Sequence, residues 1–348
     1  MKLPQPIHFL ALFTLPLLSN ACGPEGLPGD DSSDETSTTT GDGDGDPSGD
    51  GDGDGDADPT GDGDGDGLLR WEVRMPDFSP PAPYPTFYSC YSQTISVSGP
   101  IHIVGFEPKV TDPHVHHYVV QVLPAPQVDD PAALCLEDPW TDMLWGWAPG
   151  GESLYLPPEA GFRAGDNGTV TVRFQVHYDN PLQQAYTDSG GFDILYTDKL
   201  RPYDAGFAAF GDIHNIFIPA GEPAHEHVAS CSPTFTETVF EGPLNVIGTW
   251  LHAHNRGSVL WGEVIPGSGQ APFEFGREDP YMFDYQNVQL VPEGTMLMPG
   301  DEVRTHCVYD NSGNPDPVLG GAETANEMCV NFVLYYPKSD QLDECGNL

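Results

Sequence analysis

From Leu68 onward, short runs of β-branched and aromatic residues alternate with turns rich in Pro and Gly. The runs are TISVSGPIHIV (94–104), HHYVVQVL (116–123), TVTVRFQVHY (169–178), HNIFIPAG (214–221), TETVFEG (236–242), VIGTWLHAH (246–254), SVLWGEVI (258–265) and CVNFVLYY (329–336). None keeps a 3.6-residue apolar spacing over helical length, so the pattern predicts an all-β protein of sandwich type. The stretch of roughly 280 residues is long for one sandwich. A composition change at Asp204–Phe210 (DAGFAAF) offers a boundary. Two tandem jelly-roll-like β-sandwiches, residues 68–207 and 208–348, are the expected architecture.

Ahead of these runs the pattern changes twice. Residues 1–21 carry Lys2, an apolar run from Phe9 to Leu18, and Ser19-Asn20-Ala21 before Cys22. This reads as an export signal, too short to span a bilayer as a mature helix. A small residue before a cysteine, followed by a polar segment, resembles a bacterial lipoprotein junction in which Cys22 becomes the lipidated N-terminus. Leu18 lies one position further from the cysteine than in the usual pattern, so the alternative is cleavage after Ala21 to a secreted form. The expected location is the cell envelope, lipid-anchored at the outer membrane, the surface or in the periplasm. Residues 22–67 contain GDGDGD three times, at 41–46, 51–56 and 61–66. Gly and Asp at this density offer no apolar surface to bury, so the segment is expected to be a disordered, extended linker rather than a stacked calcium-binding repeat.

The formal charge of −41 divides accordingly. Residues 22–67 hold 16 of the 53 acids and no base, and the signal holds one of the 12 bases, which leaves 37 acids against 11 bases. So acidic a remainder excludes nucleic acid as partner and gives no electrostatic hold on an anionic membrane, leaving a lipid anchor as the only membrane attachment. Seven cysteines make an odd count. With Cys22 lipidated, Cys90, Cys135, Cys231, Cys307, Cys329 and Cys345 form an even set suited to an oxidising compartment, with 15 possible pairings that spacing alone does not choose between.

Histidines stand out against this background. His252-Ala-His254 puts two imidazoles on one face of a strand, enough to share a metal, and His225-Glu-His227 has the same spacing in a polar stretch. In HVHHYVVQV (114–122), alternation places His114 and His116 on one face and turns His117 the other way unless a bulge intervenes. His177 alone would be an ordinary half-buried histidine. No GxSxG, HExxH or CxxC motif is present.

Taken together, Val115-His116-His117, Trp147-Ala148, Leu156-Pro157, Gly161-Phe162-x-x-Gly165, Gln175-Val176-His177-Tyr178, His252-x-His254 and Glu327-Met328-Cys329 before Tyr335-Tyr336 resemble, in this order, the copper type II, ascorbate-dependent monooxygenases. The likeness covers roughly Phe87 to Cys345. It implies two copper ions per chain: one on His116, His117 and His177, with His114 a bystander, and one on His252, His254 and Met328, which would be the catalytic set. Thioether sulfur is a soft donor that favours Cu(I), whereas imidazole serves both oxidation states. Met296 and Met298 are rival thioethers without a counterpart in the family and are expected in the core.

The resemblance also implies the disulfides Cys90–Cys135, Cys231–Cys345 and Cys307–Cys329, and places Tyr88 and Gln175 near the first copper. Its implied reaction is hydroxylation of a substrate C–H bond with O₂ and a one-electron reductant such as ascorbate. Trp250 stands where the peptide-amidating member has a carboxylate-binding arginine, and Phe332 where it has a substrate tyrosine. The expected substrate is therefore not a C-terminal glycine carboxylate but something more apolar or aromatic. Two other readings are a non-catalytic surface copper-binding lipoprotein on the same scaffold and a purely structural module.

Overall fold

The computed structural model describes residues 67–81, 83–135 and 142–348. The expected export signal, Cys22 and nearly all of the expected Gly/Asp linker lie outside the described residues. The rest is an all-β, two-domain fold with a single short α-helix, Pro233–Val239, among the described residues. No helix among them is long and apolar enough to cross a membrane.

The N-terminal half consists of two sheets. One orders the strands Leu69–Arg74, Gly191–Thr197, Ile101–Lys109, Ala160–Ala164 and Tyr203–Asp204, with Leu154–Tyr155 added to the third of these; the other orders Thr86–Ser96, Thr169–Asp179, Val115–Leu123 and Met143–Trp147. Phe106 and Phe192 from the first sheet meet Tyr118, Trp145 and Phe174 from the second. Phe106 stacks on Trp145 at 5.2 Å between ring centroids, and Phe192 meets Phe174 edge-on at 5.2 Å. These rings are almost wholly buried, so their apolar area and ring geometry hold the sheets together.

The C-terminal half repeats the plan. One sheet orders Gln289–Leu290, Leu244–His252, Cys329–Tyr336, Gly206–Asp212 and Glu344–Asn347, with Met296–Leu297 added to the second of these; the other orders His225–Cys231, Glu302–Tyr309, Gly257–Ile265 and Phe273–Glu278. Phe210, Val246, Val333 and Tyr335 pack against Val264, Phe275 and Val303. Three disulfides are present: Cys90–Cys135, Cys231–Cys345 and Cys307–Cys329.

The halves meet through an apolar cluster of Val119 and Met143 with Trp250, Met328, Val330 and Phe332. Trp250 lies directly over Gly146, where a Cβ would come within 2.4 Å of its ring. Only glycine admits the indole at that distance.

Several runs fold differently from their expected form. TETVFEG (236–242) is not a strand: the helix Pro233–Val239 occupies its first part. Ser232 caps that helix, its hydroxyl accepting from the Phe235 amide at 3.3 Å, and Pro233 opens it with a preset φ. TISVSGPIHIV (94–104) is two strands joined by a turn, and HNIFIPAG (214–221) contributes only Phe217–Ile218. The DAGFAAF stretch, where the boundary is expected, runs into the strand Gly206–Asp212, which pairs along its whole length with Cys329–Tyr336.

Candidate metal centres

The first candidate centre grows from two neighbouring strands. Val115–Leu123 pairs with Thr169–Asp179, and the register jumps between Val115 and His117, so that Val115 opposes Tyr178 while His117 opposes His177. His116 is the extra residue of this bulge. A bulge breaks the strict alternation of faces, which is how consecutive histidines come to face one place. His114 is not part of the group: it bonds Asp112 through Nδ1 at 2.7 Å and stacks on Tyr186.

Ligand-capable nitrogens of His116, His117 and His177 lie within 4.8 Å of one another. The Nδ1 atoms of His116 and His117 are 3.0 Å apart. Each outer nitrogen that bonds protein does so on the far side of the ring: His116 Nε2 meets Asp284 Oδ1 at 2.9 Å, and His177 Nε2 meets Thr86 Oγ1 at 2.6 Å. His177 Nδ1 is buried with no hydrogen-bond partner. Burial pushes the imidazole of His117 well below its ordinary pKa, and burial with the neighbouring His116 pushes His177 down to about 3. Both rings are therefore neutral, the form that binds metal. Metal–nitrogen bonds of about 2 Å place adjacent donors about 3 Å apart, the spacing of the His116 and His117 pair. The donor set and the orphaned Nδ1 fit a bound metal ion. Tyr88 stacks flat on His177 at 4.2 Å, and Gln175 is buried on the same strand, its amide donating to the Cys135 carbonyl at 3.3 Å.

The second candidate centre sits at the end of Leu244–His252. His252 and His254 are buried, with ring centroids 5.3 Å apart at 88°. His252 Nδ1 meets Gln286 Oε1 at 2.5 Å and His254 Nδ1 meets the Asn326 carbonyl at 3.0 Å, so a metal on either ring would be taken through Nε2. Burial, with His254 second, lowers His252 to about 3, and burial lowers His254. His252 opposes Val330 in the antiparallel pair with Cys329–Tyr336. The pairing ends there, and the tie between the two strands beyond it runs from the His254 amide to the side chain of Glu327, the residue before Met328. Met328 is buried, its carbonyl accepts from the Tyr309 hydroxyl at 2.7 Å, and the Cys307–Cys329 bond anchors the next residue.

Glu327 fastens the two segments together. It is fully buried, and its carboxylate accepts from the backbone amides of His254 at 2.8 Å and Arg256 at 2.6 Å. Burial raises its pKa to about 7, against these bonds.

The rival thioethers depart from expectation. Met296 and Met298 are not core residues: they are 42% and 39% exposed and line a surface cavity of about 530 Å³ with Phe273 and Glu293. Leu297 between them is the buried one, because alternation on a two-residue edge strand turns its neighbours outward. His225 and His227 form no cluster of three donors among the described residues; His227 lies 3.3 Å from Asp212. Thr86, Phe283, Asp284 and Gln286 are not legible as site residues in the sequence, since single polar or aromatic residues at a strand start or in a short turn carry no spacing signal.

Residues 71–185 match the family model of the copper type II ascorbate-dependent monooxygenase N-terminal domain, and residues 203–347 match that of the C-terminal domain. The chain is 30% identical over 280 residues to tyramine beta-hydroxylase of Caenorhabditis briggsae, an alignment covering 75% of this chain and 48% of that protein. It is 31% identical over 292 residues to dopamine beta-hydroxylase of Equus caballus, covering 79% and 47%, and 30% identical over 221 residues to DBH-like monooxygenase protein 1 of Homo sapiens, covering 59% and 35%. The chain spans less than half the length of these relatives.

Proposed function

The chain belongs to the copper type II ascorbate-dependent monooxygenases, and from that premise we propose that it hydroxylates a C–H bond of a small apolar or aromatic substrate, using O₂ and ascorbate or a similar one-electron reductant. The observation that carries this reading is the convergence of His116, His117 and His177 on one point, with a second buried imidazole pair, His252 and His254, in the other half.

In this reading His116, His117 and His177 hold one copper through Nδ1, and His252, His254 and Met328 hold the other, the histidines through Nε2. Copper supplies one-electron transfer and oxygen activation. The protein's own residues do the rest. Asp284 and Thr86 bond the outer nitrogens of His116 and His177, and such bonds fix tautomer and ring orientation. Glu327 and the Cys307–Cys329 bridge hold the Met328 segment against the histidine pair. Phe332 lies 6.3 Å from the His252 ring and 5.6 Å from Trp250, so the wall beside the second centre is aromatic. Neither Trp250 nor Phe332 carries a charge to pair a substrate carboxylate, which supports an apolar or aromatic substrate over a C-terminal glycine. Two relatives are named for tyramine and dopamine, both small aromatics.

We assign residues 68–205 to the N-terminal copper-binding half and 206–348 to the C-terminal one, moving the expected boundary after 207 to the start of the strand Gly206–Asp212. The disulfides support export to an oxidising compartment, with lipidation of Cys22 as the proposed anchor. Copper stoichiometry followed by reductant-dependent O₂ uptake with a panel of small aromatic donors tests the proposal. Two coppers per chain with substrate-coupled uptake are expected. Two coppers without turnover on any donor would instead make the protein a copper-binding scaffold, and no copper would remove both readings.

A further inference from the structure

Between the strands Phe273–Glu278 and Gln289–Leu290, the chain of the C-terminal half runs past both candidate centres. The Tyr281 hydroxyl accepts from the Ala253 amide at 3.0 Å and donates to the Ala253 carbonyl, which pins the segment to the backbone between His252 and His254. Phe283 opens a short 3₁₀ turn, and its ring lies 5.6 Å from His116 and 6.3 Å from His254. Asp284 reaches His116 Nε2, and two residues later Gln286 reaches His252 Nδ1. Asn287 then accepts from the Ala148 amide at 2.8 Å and donates to the Pro149 carbonyl at 3.2 Å, both in the N-terminal half.

We propose that this 281–287 segment of the C-terminal half completes the all-histidine centre of the N-terminal half, with Asp284 as the carboxylate that positions His116 in its Nδ1-inward tautomer. The inference rests on the copper reading above and adds to it a dependence of one centre on the other half of the chain. A carboxylate at 2.9 Å from Nε2 requires the ring proton on that nitrogen and leaves Nδ1 with its lone pair toward His117 and His177. The Asp284 side chain is 69% exposed, so its charge is strongly screened and the hydrogen bond rather than the charge carries the effect. Gln286 does the corresponding work at His252 through the opposite nitrogen. One short segment thus orients one imidazole of each centre, and a shift of the segment moves both.

The test is copper affinity of the full chain by chelator competition, in a His254→Ala background that weakens the second centre and keeps the Gln286–His252 bond. Asp284→Ala is expected to weaken the remaining site about tenfold and to alter its Cu(II) EPR hyperfine coupling, the lower end of what such outer partners contribute. Asp284→Asn keeps an acceptor oxygen and is expected to stay within about twofold of the parent. Glu274→Ala, which removes an exposed acid with no contact to His116, is expected to change neither readout. Unchanged affinity and EPR in Asp284→Ala would overturn the proposal while leaving the copper assignment standing, and so would a loss in Asp284→Asn as large as in Asp284→Ala. A parent that binds no copper would overturn both together.

Discussion

The two candidate centres reach similar ends by different structural routes. The first is made inside one sheet: a bulge at His116 and the pairing of His117 with His177 bring three imidazoles together, all carried by hydrogen-bonded strands. The second is made where strands end. His252 closes Leu244–His252, His254 lies beyond it, and Met328 precedes Cys329–Tyr336, so backbone pairing no longer fixes these two last residues. Side-chain and covalent ties take over there: the Glu327 carboxylate on two amides, Asn326 on His254, and the Cys307–Cys329 bridge. The first set is therefore rigid by construction, while the second can be loosened one tie at a time.

That contrast sets the order of the expected effects. Met328→Ala removes a proposed ligand without touching a strand, and hydroxylation should fall more than about 100-fold, beyond what loss of an outer partner costs. Copper at the first centre should remain, read as one copper per chain. His177→Ala should do the reverse, emptying the first centre; a variant of either residue that lost both coppers would contradict the separateness of the two sets.

Removing the Cys307–Cys329 bridge by a double Cys→Ala change releases a loop closed over 22 residues. The unfolding free energy should drop by about 3 kcal/mol in denaturant titration. Copper loss should be confined to the second centre, since the first lies on other strands. Glu327→Leu leaves the buried amide of His254 and the half-buried amide of Arg256 without their acceptor, at a cost of about 2 kcal/mol, and should lower copper affinity at the second centre. Glu327→Gln, whose amide oxygen still accepts, should lose less.

The smallest effect is expected far from both centres. The Arg70 guanidinium beside Glu107 holds that carboxyl down to about 2, with Tyr155 and Lys109 assisting. Because the folded pKa lies below the ordinary value of 4.5, the stabilisation is complete above that value and is lost as pH falls toward 2. Arg70 is 41% exposed, so Glu107→Gln should cost under about 1 kcal/mol at neutral pH and flatten the acid limb of the stability curve. Copper stoichiometry should not move; if it did, the centres would be less local than their geometry implies.

What the residues disclosed in advance follows the same division. Runs with buried, β-branched and aromatic character, such as TVTVRFQVHY and CVNFVLYY, are strands almost residue for residue. Gly191–Thr197 and Gly206–Asp212 carry no clear strand pattern, because Gly, Asp and Ala dilute the signal in strands whose place is fixed by their neighbours. Pro233–Val239 is too short to show helical periodicity, and its Ser-Pro start is the one local cue. At the sites, His252-x-His254 follows from simple alternation. His116-His117 does not, because alternation alone pairs His116 with His114; the bulge is a property of the pairing with His177, sixty positions away. Asp284 and Gln286 were illegible for the same reason.

Copper K-edge X-ray absorption of the fully loaded, reduced protein, compared with Met328→Ala, decides whether a thioether binds one of the two coppers. One sulfur scatterer for every two coppers is expected in the wild-type chain, lost in the variant, with the nitrogen shell of the first centre unchanged. A wild-type spectrum without sulfur, or a sulfur contribution that survives Met328→Ala, would contradict it.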